Sequence, residues 1–236
     1  MAAARSVVEH LVFFQVKPDT PADRVATFLT NLNALRTLPG VLYLSAGPAL
    51  PALPAAPAGA PPSAAATSAS PWTHALFGRY ESRDALQEYS VSPQHVAVVT
   101  ENVKPIISDI AAVDWETDVP DASTSASSAP PPHVSIHTAM IQWQQAASPD
   151  AIAAAVAQLK AVGGGLGGAA AAAGCVSVGE NFSPARAKSF TWGLAVYAGD
   201  EAVGGRLWEQ EACRAVLQLA ERIHCVHLTG SSPLSS

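Results

Sequence analysis

Hydrophobic and polar positions fall into short blocks whose period changes along the chain. Val7 to Val16 reads Val-Val-Glu-His-Leu-Val-Phe-Phe-Gln-Val, apolar on both faces of an extended segment, which predicts a strand covered on both sides. After Lys17-Pro18-Asp19-Thr20-Pro21, the residues Val25, Phe28, Leu29, Leu32 and Leu35 recur at helical spacing. Asp19 or Thr20 would cap that helix with Pro21 in its first position, and Pro39-Gly40 would end it. Val41 to Ala46 and Ala75 to Tyr80 predict two more strands. Arg83 to Tyr89 begins a second helix that Ser92-Pro93 interrupts. It resumes with Val96, Val99 and Val103 inward and Pro105 near its end. Ile110 to Trp115 closes the block as a fourth strand.

The order βαββαβ is the ferredoxin-like arrangement, and the chain repeats it. Val134-Ser135-Ile136-His137-Thr138-Ala139-Met140-Ile141-Gln142-Trp143 echoes the first strand, with His and Gln five residues apart in both copies. Ser189 to Tyr197 echoes Pro71 to Tyr80. In this second copy Ser148-Pro149-Asp150 starts a helix through Leu159 and Val162. Cys175 to Gly179, Phe190 to Tyr197 and Ile223 to Leu228 predict strands, and Leu207 to Arg222 predicts the closing helix. The period of about a hundred residues is far above that of a stacked solenoid, so each copy is expected to be a domain. The expected fold is therefore α+β: a first unit over 7–116, a second over 133–229, and a Pro/Ser-rich tether over 117–132. Residues 47–71 hold a Pro/Ala/Ser tract without periodicity, read as a disordered insertion in the first unit.

Composition narrows the partners. The 236 residues carry a net charge of −6, with seven basic and ten acidic residues up to Glu116 and six and nine after it. Each half thus carries −3 and no basic face stands out, which argues against nucleic acid and anionic membrane surfaces. No apolar run approaches a membrane span. The strand-like run at Val7 leaves no room for a secretory segment, so a cytoplasmic protein is the expectation. Cys175, Cys213 and Cys225 are too few for a disulfide framework and read as reduced, buried thiols. Cys225 and His227 would share a strand face with His224 opposite, but no second ligand pair at zinc spacing accompanies them. Gly163-Gly164-Gly165-Leu166-Gly167-Gly168 matches a dinucleotide fingerprint in letters only. It follows a helix, whereas the real motif follows a strand.

His10-Leu11-Val12, Leu38-Pro39-Gly40-Val41, Thr73-His74, Tyr89-x-x-Ser92-Pro93-x-His95-Val96 and Val113-Asp114-Trp115 together resemble the stress-responsive A/B barrel family, the Dabb domain of plants and bacteria. Glu180 to Lys188 resembles the second copy of tandem plant members. The resemblance implies two ferredoxin-like units whose sheets pair as a dimeric α/β barrel, here within one chain. A short tether favours that internal pairing by raising the effective concentration of the mate. It implies a stress-associated barrel without chemistry, its cavity either filled or holding an apolar ligand. The alternative is a cyclase or lyase that closes a polyketide ring by an intramolecular aldol step.

The cyclase of the family places its site at positions resembling His10, His74, Tyr89 and His95. An imidazole there would take a proton alpha to a carbonyl, and a tyrosine hydroxyl would hold the enolate oxygen. Trp192 stands where the second unit would repeat His74, and nothing there matches Tyr89 or His95, so one site per chain is expected. A structural reading sets the histidines in hydrogen-bonded core positions instead. Catalysis requires His95 and Tyr89 to reach a common point. No cofactor is required. Some family members hold magnesium on backbone carbonyls, which here would be those of Leu35, Leu38 and Val41.

Overall fold

The computed structural model describes residues 4–51, 71–120, 135–163, 176–198 and 211–229. Its first sheet is built around β1 (Ala4–Val16), which is apolar on both faces and pairs antiparallel on both edges. On one side lies β5 (Ile107–Pro120). On the other lies β4 (His74–Tyr80), followed by β2 (Val41–Pro48), giving the order β2-β4-β1-β5. Three helices cover one face: α1 (Ala22–Ala34), α2 (Arg83–Val91) and α3 (Pro93–Val98). Phe28, Leu32 and Leu35 from the predicted stripe pack there against Val8, Val12 and Phe14. Gly40 turns the chain into β2 at φ +75°, and a Cβ there would come within 2.7 Å of the Ala85 Cβ. That position demands glycine twice over.

The second unit repeats the arrangement. It comprises β6 (Ser135–Trp143), α4 (Pro149–Gly163), β7 (Val176–Glu180), β8 (Trp192–Ala198), α5 (Glu211–Leu219) and β9 (Ala220–Thr229). Its strand order β9-β6-β8-β7 matches the first sheet position for position. A short strand from the first unit, β3 (Leu50–Pro51), is added at the β9 edge. The chain is thus an α+β protein of two ferredoxin-like units.

The two sheets meet face to face. Leu11, Phe13, Phe77 and Trp115 from the first interdigitate with Ile136, Met140, Tyr197 and Val226 from the second. Trp115 is the central knob. Fully buried, its indole lies on Gly179 of β7 and Gly193 of β8, and its Nε1–H donates to Ser177 Oγ at 2.8 Å. One polar cluster interrupts this interior. Glu9 Oε1 accepts from Arg79 Nη2 at 2.6 Å and from the Tyr197 hydroxyl at 2.8 Å, all three being buried. A charge pair here tolerates loss of neither partner.

Each sheet ends on its fourth strand, and each of those edges is covered by the other unit. β3 pairs with β9. Reciprocally, the segment between β7 and β8 lies along β5: Phe182 N–H donates to Asp114 O, and Asp114 N–H donates to Asn181 Oδ1, both at 2.9 Å. Covered edges remove the template for association with further strands.

Several boundaries differ from the sequence reading. The first four residues assigned to the tether, Thr117 to Pro120, extend β5 because Ala4 to Val7 are there to pair with them. Gly47 and Pro48 belong to β2, and Leu50-Pro51 to β3, rather than to an insertion; residues 52–70 lie outside the described residues. Pro21 is itself the cap of α1. The resumed helix turns into a π-type turn over Val99–Val103, and Val96 points outward. The closing helix ends at Leu219, since Ala220 already pairs with Trp143. Cys175 and Gly164 to Gly168 lie outside the described residues.

A methyl group at Gly193 would stand 2.1 Å from the Trp115 ring, whereas one at Gly47 would meet only Leu228 at 3.9 Å. Gly193→Ala is therefore expected to lose about 1–3 kcal/mol in urea unfolding, and Gly47→Ala to be neutral or up to about 1 kcal/mol more stable.

Candidate functional site

Alternation along β1 sends Leu11 and Phe13 into the barrel and Val8, His10 and Val12 toward the helices. His10 Nδ1 meets Asp114 Oδ1 of β5 at 2.5 Å, directly across the ladder. Burial works against ionising Asp114. The charge and hydrogen bond of His10, the Ser183 hydroxyl and the charge of Arg186 outweigh it and hold the carboxyl below its usual range. The ionised carboxylate can only accept, so the His10 Nδ1 carries the proton.

From His10 a run of rings leads into the helix break. His10 meets the edge of Tyr80 at 6.1 Å, Tyr80 lies 4.9 Å from Tyr89, and Tyr89 lies 4.7 Å from His95. Ser92 makes the last contact. Its hydroxyl donates to the Tyr89 carbonyl at 2.9 Å and accepts the His95 amide at 3.2 Å, ending α2 and starting α3, with Pro93 in first position. The break thereby folds His95 back over Tyr89.

Protonation follows from surroundings. His95 Nδ1 lies 2.9 Å from the Ser90 carbonyl, which can only accept, so Nε2 keeps the lone pair. Burial lowers the His95 pKa; the Ser90 bond opposes this, and the charges of His10 and Arg186 lower it further. The imidazole is thus neutral at pH 7 and basic at Nε2. Burial pushes the Tyr89 phenol up to about 12 and raises Tyr80 well above its ordinary value, and the Tyr80 hydroxyl is buried without a hydrogen-bond partner among the described residues. Both phenols are donors at neutral pH.

The structure brings His10, Tyr89 and His95 together and leaves His74 out. His74 occupies the same sheet face but pairs with Phe14, four residues along β4 from Gly78, the partner of His10. That is about 13 Å away at strand rise. Its ring packs on Phe28 and its Nδ1 meets Thr73 Oγ1 at 2.9 Å. Sequence reasoning missed Asp114, Tyr80, Ser183 and Arg186 as site residues. Asp114 carried a signal, being one residue from a buried tryptophan on the opposite strand face.

The carbonyls of Leu35 and Leu38 accept the amides of Leu38 and Val41 at 3.1 and 3.3 Å. Each offers a cation only its second lone pair, and the three predicted ligands bring no anionic side chain. Among the described residues no cluster of three or more His, Cys, Asp or Glu assembles, and no helix is long and apolar enough to cross a membrane.

The second unit replaces the His10–Asp114 pair with two histidines. His137 pairs across the ladder with His227, their rings stacked at 4.6 Å, and Ser135 Oγ lies 3.0 and 2.7 Å from the two Nε2 atoms. One hydroxyl can donate to one ring and accept from the other, which suits two neutral imidazoles. Cys225 lies on this same face. His224 lies on the other, against Phe190 and Trp72.

Two sheets of order 4-1-3-2, closed face to face with a polar ring cluster under one helix break, define a tandem α/β barrel. The Stress responsive A/B Barrel Domain family matches residues 8–117. A stress-response A/B barrel domain-containing protein of Arabidopsis thaliana is 34% identical over 90% of this chain and 70% of its own length. A second Arabidopsis thaliana protein of the same description is 30% identical over 83% of this chain and 82% of its own. The chain belongs to the stress-response A/B barrel domain family. A solved structure described as a putative monooxygenase from Fusobacterium nucleatum shares the fold over 96% of this chain and 93% of its own, with TM-score 0.53 and 13% identity.

His137, pushed to about 4 by burial and then by the neighbouring His227, binds its proton far more weakly folded than unfolded. Its contribution is intact above its ordinary value of 6.5 and is lost as pH falls from there toward 4. His137→Gln is expected to remove about 3 kcal/mol of the stability difference between those pH values, read by urea unfolding of variant against wild type.

Proposed function

We propose that the first unit carries a small-molecule binding site at His10, Tyr80, Tyr89 and His95, suited to a compact, largely apolar carbonyl compound. The observation that carries the reading is the helix break at Ser92, which packs a half-buried, neutral His95 against Tyr89 at a tilt of 49° and leaves Nε2 without a protein partner among the described residues. With Nδ1 held by the Ser90 carbonyl, Nε2 is the nitrogen left to meet a ligand. The phenol of Tyr89 donates to the ligand's carbonyl oxygen, and the apolar floor is supplied by the sheet face beneath α2 and α3. In a stress-associated protein this amounts to sequestration of a reactive or apolar metabolite. The cytoplasm is the compartment we assign to it, and the division into units over 7–116 and 133–229 is the domain plan it rests on.

The same geometry favours a second reading, proton transfer. His95 Nε2 would take a proton alpha to the carbonyl, the C–H electron pair would pass to the carbonyl oxygen, and Tyr89 would hold the enolate that forms. With an intramolecular acceptor, that enolate closes a ring by aldol addition.

Acetophenone tests both. It is expected to bind saturably, moving the His95 imidazole resonances of the histidine-labelled chain, and Tyr89→Phe should weaken it about tenfold. Enzymatic exchange of its alpha protons in D2O, lost about 10²-fold or more in His95→Gln, supports proton transfer. Binding without exchange leaves a non-catalytic barrel, and no binding ends both readings.

A further inference from the structure

The segment between β7 and β8 belongs to the second unit but is built onto the first unit's site. Asn181 Oδ1 accepts the Asp114 amide at 2.9 Å and the Ser183 amide at 3.0 Å, so one side chain fixes both the strand edge and the turn above it. Phe182 packs into the first unit's core cluster, with the Arg83 guanidinium 4.0 Å over its ring. At the far end Lys188 pairs with Asp109 at 2.6 Å, and Ala187 is buried between the sheets. Between these anchors the turn Pro184–Arg186 is held against β5. Lys188 and Ser189 take positive φ values of 48° and 73° to complete the crossing, a conformation that non-glycine residues adopt only when the surroundings impose it.

This crossing delivers two side chains to the site. Ser183 and Arg186 both help hold the Asp114 carboxyl below its usual range, and the Arg186 charge also lowers the pKa of His95. Arg186 itself is exposed and takes part in none of the four ion pairs of the described residues, which join His10 to Asp114, Arg79 to Glu9, Arg83 to Glu116 and Lys188 to Asp109. The carboxylate its charge acts on, Asp114, already meets His10. The remaining polar groups of the site are donors at neutral pH or the neutral His95. Beside them Val91 and Val96, on the two helices that carry Tyr89 and His95, are 61% and 49% exposed. A site with an uncommitted guanidinium, phenol donors and exposed valines is matched by an apolar molecule that carries its own anion.

We infer that the second unit completes the first unit's site and that its Arg186 selects small apolar carboxylates, pairing with the ligand's carboxylate while the carbonyl end reaches Tyr89 and His95. The inference rests on the binding reading above and adds the ligand class to it. It also assigns the catalytically empty second copy a role: it is a recognition element as well as a structural mate. Arg186 is a specificity residue here and takes no part in proton transfer.

The test compares 4-acetylbenzoate with 4-acetylbenzamide, which differ in charge and little in shape, by titrating the full chain and following the His10 and His95 imidazole signals. Wild type is expected to bind the carboxylate at least tenfold more tightly. Arg186→Ala should abolish that preference, Arg186→Lys should keep part of it, and Arg24→Ala, an exposed cation on α1, should leave it intact. Thermal melts of each variant should match wild type, and Arg186→Gln serves if the alanine variant melts early. Equal binding of the two probes by wild type, or a preference that survives in Arg186→Ala, overturns the inference while acetophenone binding leaves the site reading standing. Failure of all three probes removes the reading and the inference together.

Discussion

The seating of Trp115 on two glycines governs the rest of the molecule. Its ring occupies the space a Cβ would need at Gly179 and Gly193, and its Nε1–H reaches Ser177. A flat, rigid side chain with one donor thus sets the distance and register of β5 against β7 and β8. Because strand residues alternate, the preceding residue, Asp114, faces the opposite side and meets His10. The same contact that closes the barrel therefore fixes the carboxylate end of the site. It also brings the Asn181–Arg186 segment across the β5 edge.

The barrel illustrates how a duplicated unit divides its labour. Both copies keep the strand order with the fourth strand at an edge, and each covers the other's edge with the chain between its second and third strands. The chemistry is unequal. Where the first unit sets His10 against Asp114, the second sets His137 against His227, two rings that suit burial only as neutral species. Covalent linkage makes such divergence tolerable, since it supplies each first unit with a second unit as its mate at high effective concentration.

Polar groups inside this fold gather in small sets. Glu9, Arg79 and Tyr197 form one between the sheets, with carboxylate, guanidinium and phenol all buried and drawn from both units. Leaving any member alone in that interior costs more than the set contributes, which makes it a constraint on how the units meet more than a source of stability. The helix break is a second set, where Ser92 bridges Tyr89 and His95 and each ring then has one defined tautomer or protonation state.

The order of elements, the duplication and the pairing of units were legible in the sequence because they rest on periodicity. An apolar run such as Val7 to Val16 specifies a central strand in any context, and Ser92-Pro93 breaks a helix by steric necessity. His10, Tyr89 and His95 were legible as candidates, because their types and spacing carry the chemistry. His74 had the same standing by sequence and was separated from them only by register, four residues along a strand. The extension of β5 through Pro120, the use of Leu50-Pro51 as a strand of the other sheet, and the placement of Ser183 and Arg186 over the first unit's site were decided by tertiary structure alone. Those features depend on contacts between residues about seventy to a hundred and eighty positions apart, and local pattern contains no information about which distant edge a segment will cover.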